Sequence, residues 1–238
     1  ATVVDTNSAI VENTDVTADM RDLGFGELVS ADAYDQATGI ATWTLSGTSI
    51  SANSTLTVTV GARDDAGNAS TQNTGTIFGD TIAPYVDTIN VYNQDQDSFS
   101  SVADSANVIV TASITDTNSN VIENTDVTAN LASLGFGALV SADSYDQAAS
   151  VATWTLSGTS VSANGSLTVT VAARDDAGNV GTENTGTIIG DTIAPYVDTI
   201  NAYNQDQDTF SSVADSATVI VTASITDINN NIIETTDI

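Results

Sequence analysis

The chain has 238 residues and a formal net charge of −28, from 31 acidic groups against three arginines, Arg21, Arg63 and Arg174, with no lysine or histidine. Nucleic acid and anionic membrane are excluded as partners, because both are gripped by cationic side chains. Hydrophobic residues make up 41% of the chain, enough for packed cores, and with no cysteine those cores close without disulfides.

No run of about eighteen apolar residues and no basic-then-apolar leader occurs, so a secretion signal or anchor is expected outside this stretch. Glu12, Glu27, Glu123, Glu183 and Glu234 are the only glutamates. The other acidic groups are aspartates, which suit turns and hard cations. Such charge density opposes compaction unless bound cations or salt neutralise part of it, so calcium as a cofactor, a saline habitat, or both are expected.

The chain repeats itself. DTIAPYVDTIN begins at Asp80 and again at Asp191, an offset of 191 − 80 = 111. TWTLSGTS recurs at Thr42 and Thr153, RDDAGN at Arg63 and Arg174, and Asp5, Asp116 and Asp227 open related polar stretches at the same offset. Pro84 and Pro195, the sole prolines, mark linkers. The expected division is the C-terminal part of one repeat (1–80), a complete repeat (81–191) and the N-terminal part of the next (192–238). The two partial repeats overlap by sixteen residues in repeat coordinates. That duplication favours a window of a longer array over polymerisation by strand donation.

In the complete repeat, alternation with period two predicts half-buried strands. In chain order they run near Val86 to Tyr92, through Val108, Val110, Ala112 and Ile114, over Val127 to Leu131 and Ala138 to Ala142, through Ala152, Trp154 and Leu156, through Leu167, Val169, Val171 and Ala173, and over Thr185 to Ile189. Seven short strands separated by Asp, Asn, Gly and Ser clusters, with no helical period, predict an all-β fold of tandem seven-stranded Ig-like β-sandwiches. Trp154 and Trp43 are expected to be core anchors rather than ligand platforms.

The segments LTVTVAARDDAGN (Leu167 to Asn179), GDTIAPYV (Gly190 to Val197) and VTANLASLG (Val127 to Gly135) resemble the bacterial and archaeal Ig-like repeats of giant cell-surface adhesins, S-layer proteins and extracellular filaments. The resemblance implies an extender or surface-layer role, an extracellular location, and calcium at linkers and turns.

Without histidine or cysteine the usual catalytic triads, zinc sites and haem attachment are unavailable, and each acidic cluster recurs on a turn, so the chain is not expected to be an enzyme. Three clusters could hold calcium. Asn93, Asp95, Asp97, Ser101 and Asp104 have EF-like spacing, repeated at Asn204, Asp206, Asp208, Ser212 and Asp215, but with Ser98 in place of the turning glycine and Asp104 in place of the closing glutamate. Asp116, Asn118 and Asn120, followed by Glu123 and Asp126, form a second cluster, in whose first copy Ala9 replaces Asn120. The third joins Asp191 to the turn at Asp175, Asp176 and Asn179, with Asp64, Asp65, Asn68 and Asp80 as its earlier copy. For each cluster a solvated acidic turn is the competing reading. Asn53, Asn164 and Asn68 head N-x-S/T sequons that could carry glycans.

Together these features lead to the expectation of a mechanical repeat whose partners are neighbouring repeats and identical subunits of a filament or layer. The rival expectation is an adhesin module recognising a glycan or another surface ligand.

Overall fold

A computed structural model of the chain describes residues 1–5, 12–93, 101–118, 123–204, 212–214 and 216–227. The chain forms two compact units. The first holds Ala1–Ala83 with the short segments Asp116–Asn120 and Asp175–Asn179, and the second holds the remainder from Pro84 onward.

In the first unit the strands are β1 (Val16–Asp19), β2 (Val29–Ser30), β3 (Ala33–Asp35), β4 (Ile40–Thr42), β5 (Ser54–Ala62) and β6 (Asn73–Gly79). They make a sheet of order β2-β1-β5-β6 and a separate β3–β4 hairpin. Val16, Ala31 and Ala41 are buried together, with Val3, Tyr34, Trp43 and Val60 packed partly buried against them.

The second unit continues with β7 (Tyr85–Asn93), β8 (Ser101–Val102), β9 (Asn107–Thr115), β10 (Val127–Asn130), β11 (Val140–Ser141), β12 (Ser144–Asp146), β13 (Val151–Ser157), β14 (Gly165–Ala173) and β15 (Asn184–Gly190). Two sheets, of order β11-β10-β14-β15-β8 and β12-β13-β9-β7, supply the inward residues of one continuous core. The alternation of buried and less buried side chains along the strands shows why. β9 alternates buried Val108, Val110, Ala112 and Ile114 with half-buried neighbours, and β13 does the same with Ala152, Trp154 and Leu156, as the pleat requires. Trp154 is wholly buried, and its indole N–H donates to the Val140 carbonyl at 3.0 Å, so its polar edge is satisfied inside the core.

All seven predicted strands are present, and β8 and β12 are additional. A last hairpin, β16 (Tyr196–Asn204) with β17 (Val219–Thr226), forms a two-stranded sheet of its own. The structure is all-β, with single 3₁₀ turns such as Ala132–Leu134, which ends on Gly135 at φ 90°. A Cβ at Gly135 would lie 2.6 Å from that of Ser160, so both backbone and space require glycine there. No helix among the described residues is long and apolar enough to cross a membrane.

Candidate metal centre

Asp80 follows β6, Asp116 follows β9 and Asp175 lies in the turn after β14. All three belong to the first compact unit. Each offers a carboxylate oxygen, and those oxygens lie within 4.8 Å of one another. It is the only such group of three among the described residues.

Local turns hold each aspartate. Asp80 Oδ1 accepts the Ile82 N–H at 2.9 Å, and Asp116 Oδ1 accepts the Asn118 N–H at 2.8 Å. Asp175 accepts the Asn179 N–H on one oxygen and the Asn179 side-chain amide on the other, both at 2.8 Å. These are Asx-type turns, in which the side chain stands in for a backbone acceptor. Two amides tie the segments together: Asn118 Nδ2 donates to Asp80 Oδ1 at 2.6 Å, and Asn179 Nδ2 reaches the Asp80 carbonyl at 3.3 Å.

Asp80 and Asp175 are only 7% and 2% exposed. Asp116 is half-buried, yet its Oδ2 is shielded from solvent and has no hydrogen-bond partner among the described residues. Burial pushes the Asp116 carboxyl above its ordinary pKa; the Asn118 N–H pulls the other way, and the Asp80 and Asp175 charges add to the rise. A buried, unpartnered carboxylate oxygen beside two other carboxylates is costly unless something positive is shared between them. The donors are all hard oxygens, which suits calcium or magnesium rather than a thiophilic metal.

The structure regroups the predicted sites. The second and third clusters combine, because Asp80 sits with Asp116 and Asn118 as well as with Asp175 and Asn179. Asp191, expected beside Asp175, is instead held in the second unit, its N–H on the Val102 carbonyl and its Oδ1 on the Ile193 N–H. The reason is strand geometry. Asp175 and Asp191 flank the two ends of β15, a seven-residue strand that spans roughly 20 Å. Asp176 and Asp65 are exposed, as is Asn68. Asp64 repeats the turn of Asp175, accepting Asn68 N–H and Nδ2 at 2.7 Å each, and these bonds hold its carboxyl below the usual range. Asp126 accepts Arg174 Nη2 at 2.9 Å, and Glu123 accepts the Asp126 N–H on its carbonyl.

Of the EF-like loop, Asp95 and Asp97 lie outside the described residues, as do Asn120 and, in the second copy, Asp206, Asp208 and Asp215. Asn93, Ser101 and Asp104 line one cavity of about 670 Å³ with Asp191 and Asp227. Asp104 Oδ1 accepts the Val161 N–H at 3.1 Å, and Ser101 is paired in β8 beside Ile189. Asn204 ends β16, and Ser212 is exposed. The sequon residues Asn53 and Asn164 each accept from the N–H and hydroxyl of a threonine, Thr81 and Thr192. Asn68 donates its amide to Asp64.

Neither a protein-family model nor a curated protein matches the chain. Among solved structures it is similar to the fibronectin(III)-like modules of Clostridium thermocellum CbhA, at 16% identity and a TM-score of 0.38, over 80% of this chain and 83% of that one. It is also similar to a tetra-tandem repeat in the extending region of a large adhesion protein, at 18% identity and a TM-score of 0.28. That match covers 93% of this chain and 58% of the other.

Proposed function

We propose that the chain is part of an extracellular, non-enzymatic array of β-sandwich repeats that spans distance at a cell surface or builds a filament or layer, and that calcium stiffens it. The observation that carries this reading is the Asp80, Asp116 and Asp175 cluster with its unpartnered Asp116 Oδ2. In the 111-residue repeat, Asp80 precedes the Pro84 linker while Asp116 and Asp175 come from the repeat that follows it. One ion there would join the exit of one repeat to two turns of the next and convert mutual repulsion into a clamp. The partners are then neighbouring repeats and identical subunits, and the sequons at Asn53 and Asn164 would suit a glycosylated coat.

The test is thermal unfolding at matched ionic strength in calcium and in chelator. An ion bound only by the native state adds about 2.7 kcal/mol at a hundredfold excess over Kd. Asp116→Asn should abolish that calcium increment. It should also raise the melting temperature in chelator, because one of three repelling carboxylates is gone. Equal melting temperatures of the unsubstituted chain in calcium and chelator would remove the metal from the account.

A further inference from the structure

We propose that the outer face of the β11-β10-β14-β15-β8 sheet, together with the loop tip at Leu139, is where one copy of this chain docks on a second copy. The inference rests on the reading of identical subunits as partners, and it names the surface by which they meet.

The face is distinguished first by what it lacks. The chain carries 31 acidic groups, yet none of the strands β8, β10, β11, β14 and β15 contains a charged residue. Its outward positions are hydroxyls and an amide. Thr168 pairs with Thr187 and Thr170 with Thr185 across β14 and β15, and Asn130 lies opposite Thr170 on the other side. Beside them Leu139, at 83%, is the most exposed large hydrophobic side chain among the described residues.

The earlier repeat shows that this neutrality is specific to the second unit. Between residues 1–80 and 112–191 charge differs at five pairs of positions, and four of them fall on this face: Asp19/Asn130, Arg21/Ala132, Asp22/Ser133 and Glu27/Ala138, the fifth being Gln72/Glu183. In the first unit the four form one network. Arg21 Nη2 meets Asp19 at 2.6 Å and its Nη1 meets Glu27 at 3.9 Å, while Asp22 accepts the Thr57 N–H and hydroxyl. In the second unit Ser133 stands in for Asp22, and its hydroxyl donates to the Thr168 carbonyl. Three carboxylates and one guanidinium are thus replaced together by neutral groups. The register beneath is the same, with Asp19 opposite Thr59 as Asn130 is opposite Thr170.

That change selects the partner. A cationic partner would be drawn to so acidic a chain and would lose by the removal of carboxylates, whereas a partner as acidic as the chain itself can approach only where charge is absent. A second copy is that partner, and a two-fold contact sets the face against its own equivalent. Interface centres are likewise depleted of charged residues. From strand spacing and rise, the strands offer roughly 400 Å² per copy, about half of the ~800 Å² that a standard interface takes from each partner. The association is therefore weak and shows itself at high concentration.

Sedimentation of the full chain across concentration, in enough salt to screen its charge, is the test. The unsubstituted chain should rise towards twice its mass. Carrying the first unit's charges into the second, as Asn130→Asp, Ala132→Arg, Ser133→Asp and Ala138→Glu together, should keep it monomeric. The same side chains are accommodated at the equivalent positions of the first unit, so this variant should unfold as cooperatively as the original. Leu139→Asp, at an open position, is a second variant with the same expectation. Association that neither variant weakens would overturn this surface while leaving identical subunits as partners. A chain that stays monomeric at its highest soluble concentration would overturn both and leave the face to an unlike partner.

Discussion

Single residues divide into those whose role is local and those whose role depends on distant partners. Trp154 is of the first kind, since the alternation around it already marks it as inward. Trp154→Ala should cost on the order of 3 to 5 kcal/mol by denaturant titration. Trp43→Ala should cost less in the monomer, because Trp43 is only half-buried. Asp22 accepts both the N–H and the hydroxyl of Thr57, at 2.9 and 2.8 Å. The backbone bond first and the hydroxyl second hold its carboxyl below the ordinary value. A depressed native pKa stabilises the fold above the unfolded carboxylate value of about 3.9, and the contribution disappears as pH falls through the native value. Asp22→Ala should therefore lower the melting temperature at neutral pH, and the gap should close on acidification. A gap that persists in acid would mean that packing, not charge, is responsible. The acidic cluster of Asp80, Asp116 and Asp175 is of the second kind. Asp116 and Asp175 each stand in a legible acidic turn, but nothing in their spacing says that both meet Asp80, because strand length and sheet order decide which turns share an end.

At the scale of elements, long alternating segments were legible and very short ones were not. β8 and β12 have two and three residues, too few to show a period, and exist through their neighbours: β8 runs parallel to β15, and β12 pairs with β13. The same dependence separates two identical segments. TWTLS belongs to β13 at Thr153–Ser157, where β9 pairs with it throughout, but at Thr42 only the first residue is in strand and β4 ends there. Pairing, not propensity, sets the strand. The glycines give a matched test. Gly186→Val would press on Ile89, whose Cγ2 is 2.6 Å from where a Cβ would be, and should cost about 1 to 3 kcal/mol as overpacking. A Cβ at Gly75 would meet nothing within 4 Å, so Gly75→Val should leave unfolding of the dilute chain unchanged. Equal effects at the two positions would show that the first unit is already closed by something else.

At the scale of the whole molecule, the 111-residue period was legible from repetition alone, whereas stiffness depends on the segments that join the repeats. Between Asn184 and Val197 the sequence has no flexible Gly/Ser spacer, and Pro195 fixes one dihedral and biases Ala194 towards extension. In dilute solution, scattering in calcium should give a narrow distribution of maximum dimension that broadens on chelation without loss of β signal. An unchanged profile would remove the clamp, and a broad one in calcium would remove the stiff extender itself.

The near-duplication of the β7–β9 hairpin by residues 196–226 also bears on how the chain reaches its native state. While the second unit refolds, its half-built core meets two almost interchangeable hairpins, one preceding it in the chain and one following, and a wrong capture is a kinetic trap of the kind tandem repeats are prone to. The main difference facing the core is Val91, buried at 7% exposure, against Ala202. Two fewer methyl-sized groups amount to roughly 1.6 kcal/mol of lost burial, which is more than a tenfold preference for the correct hairpin. Val91→Ala would erase that discrimination, and refolding should then become slower and heterogeneous even though the sandwich it finally forms is the same.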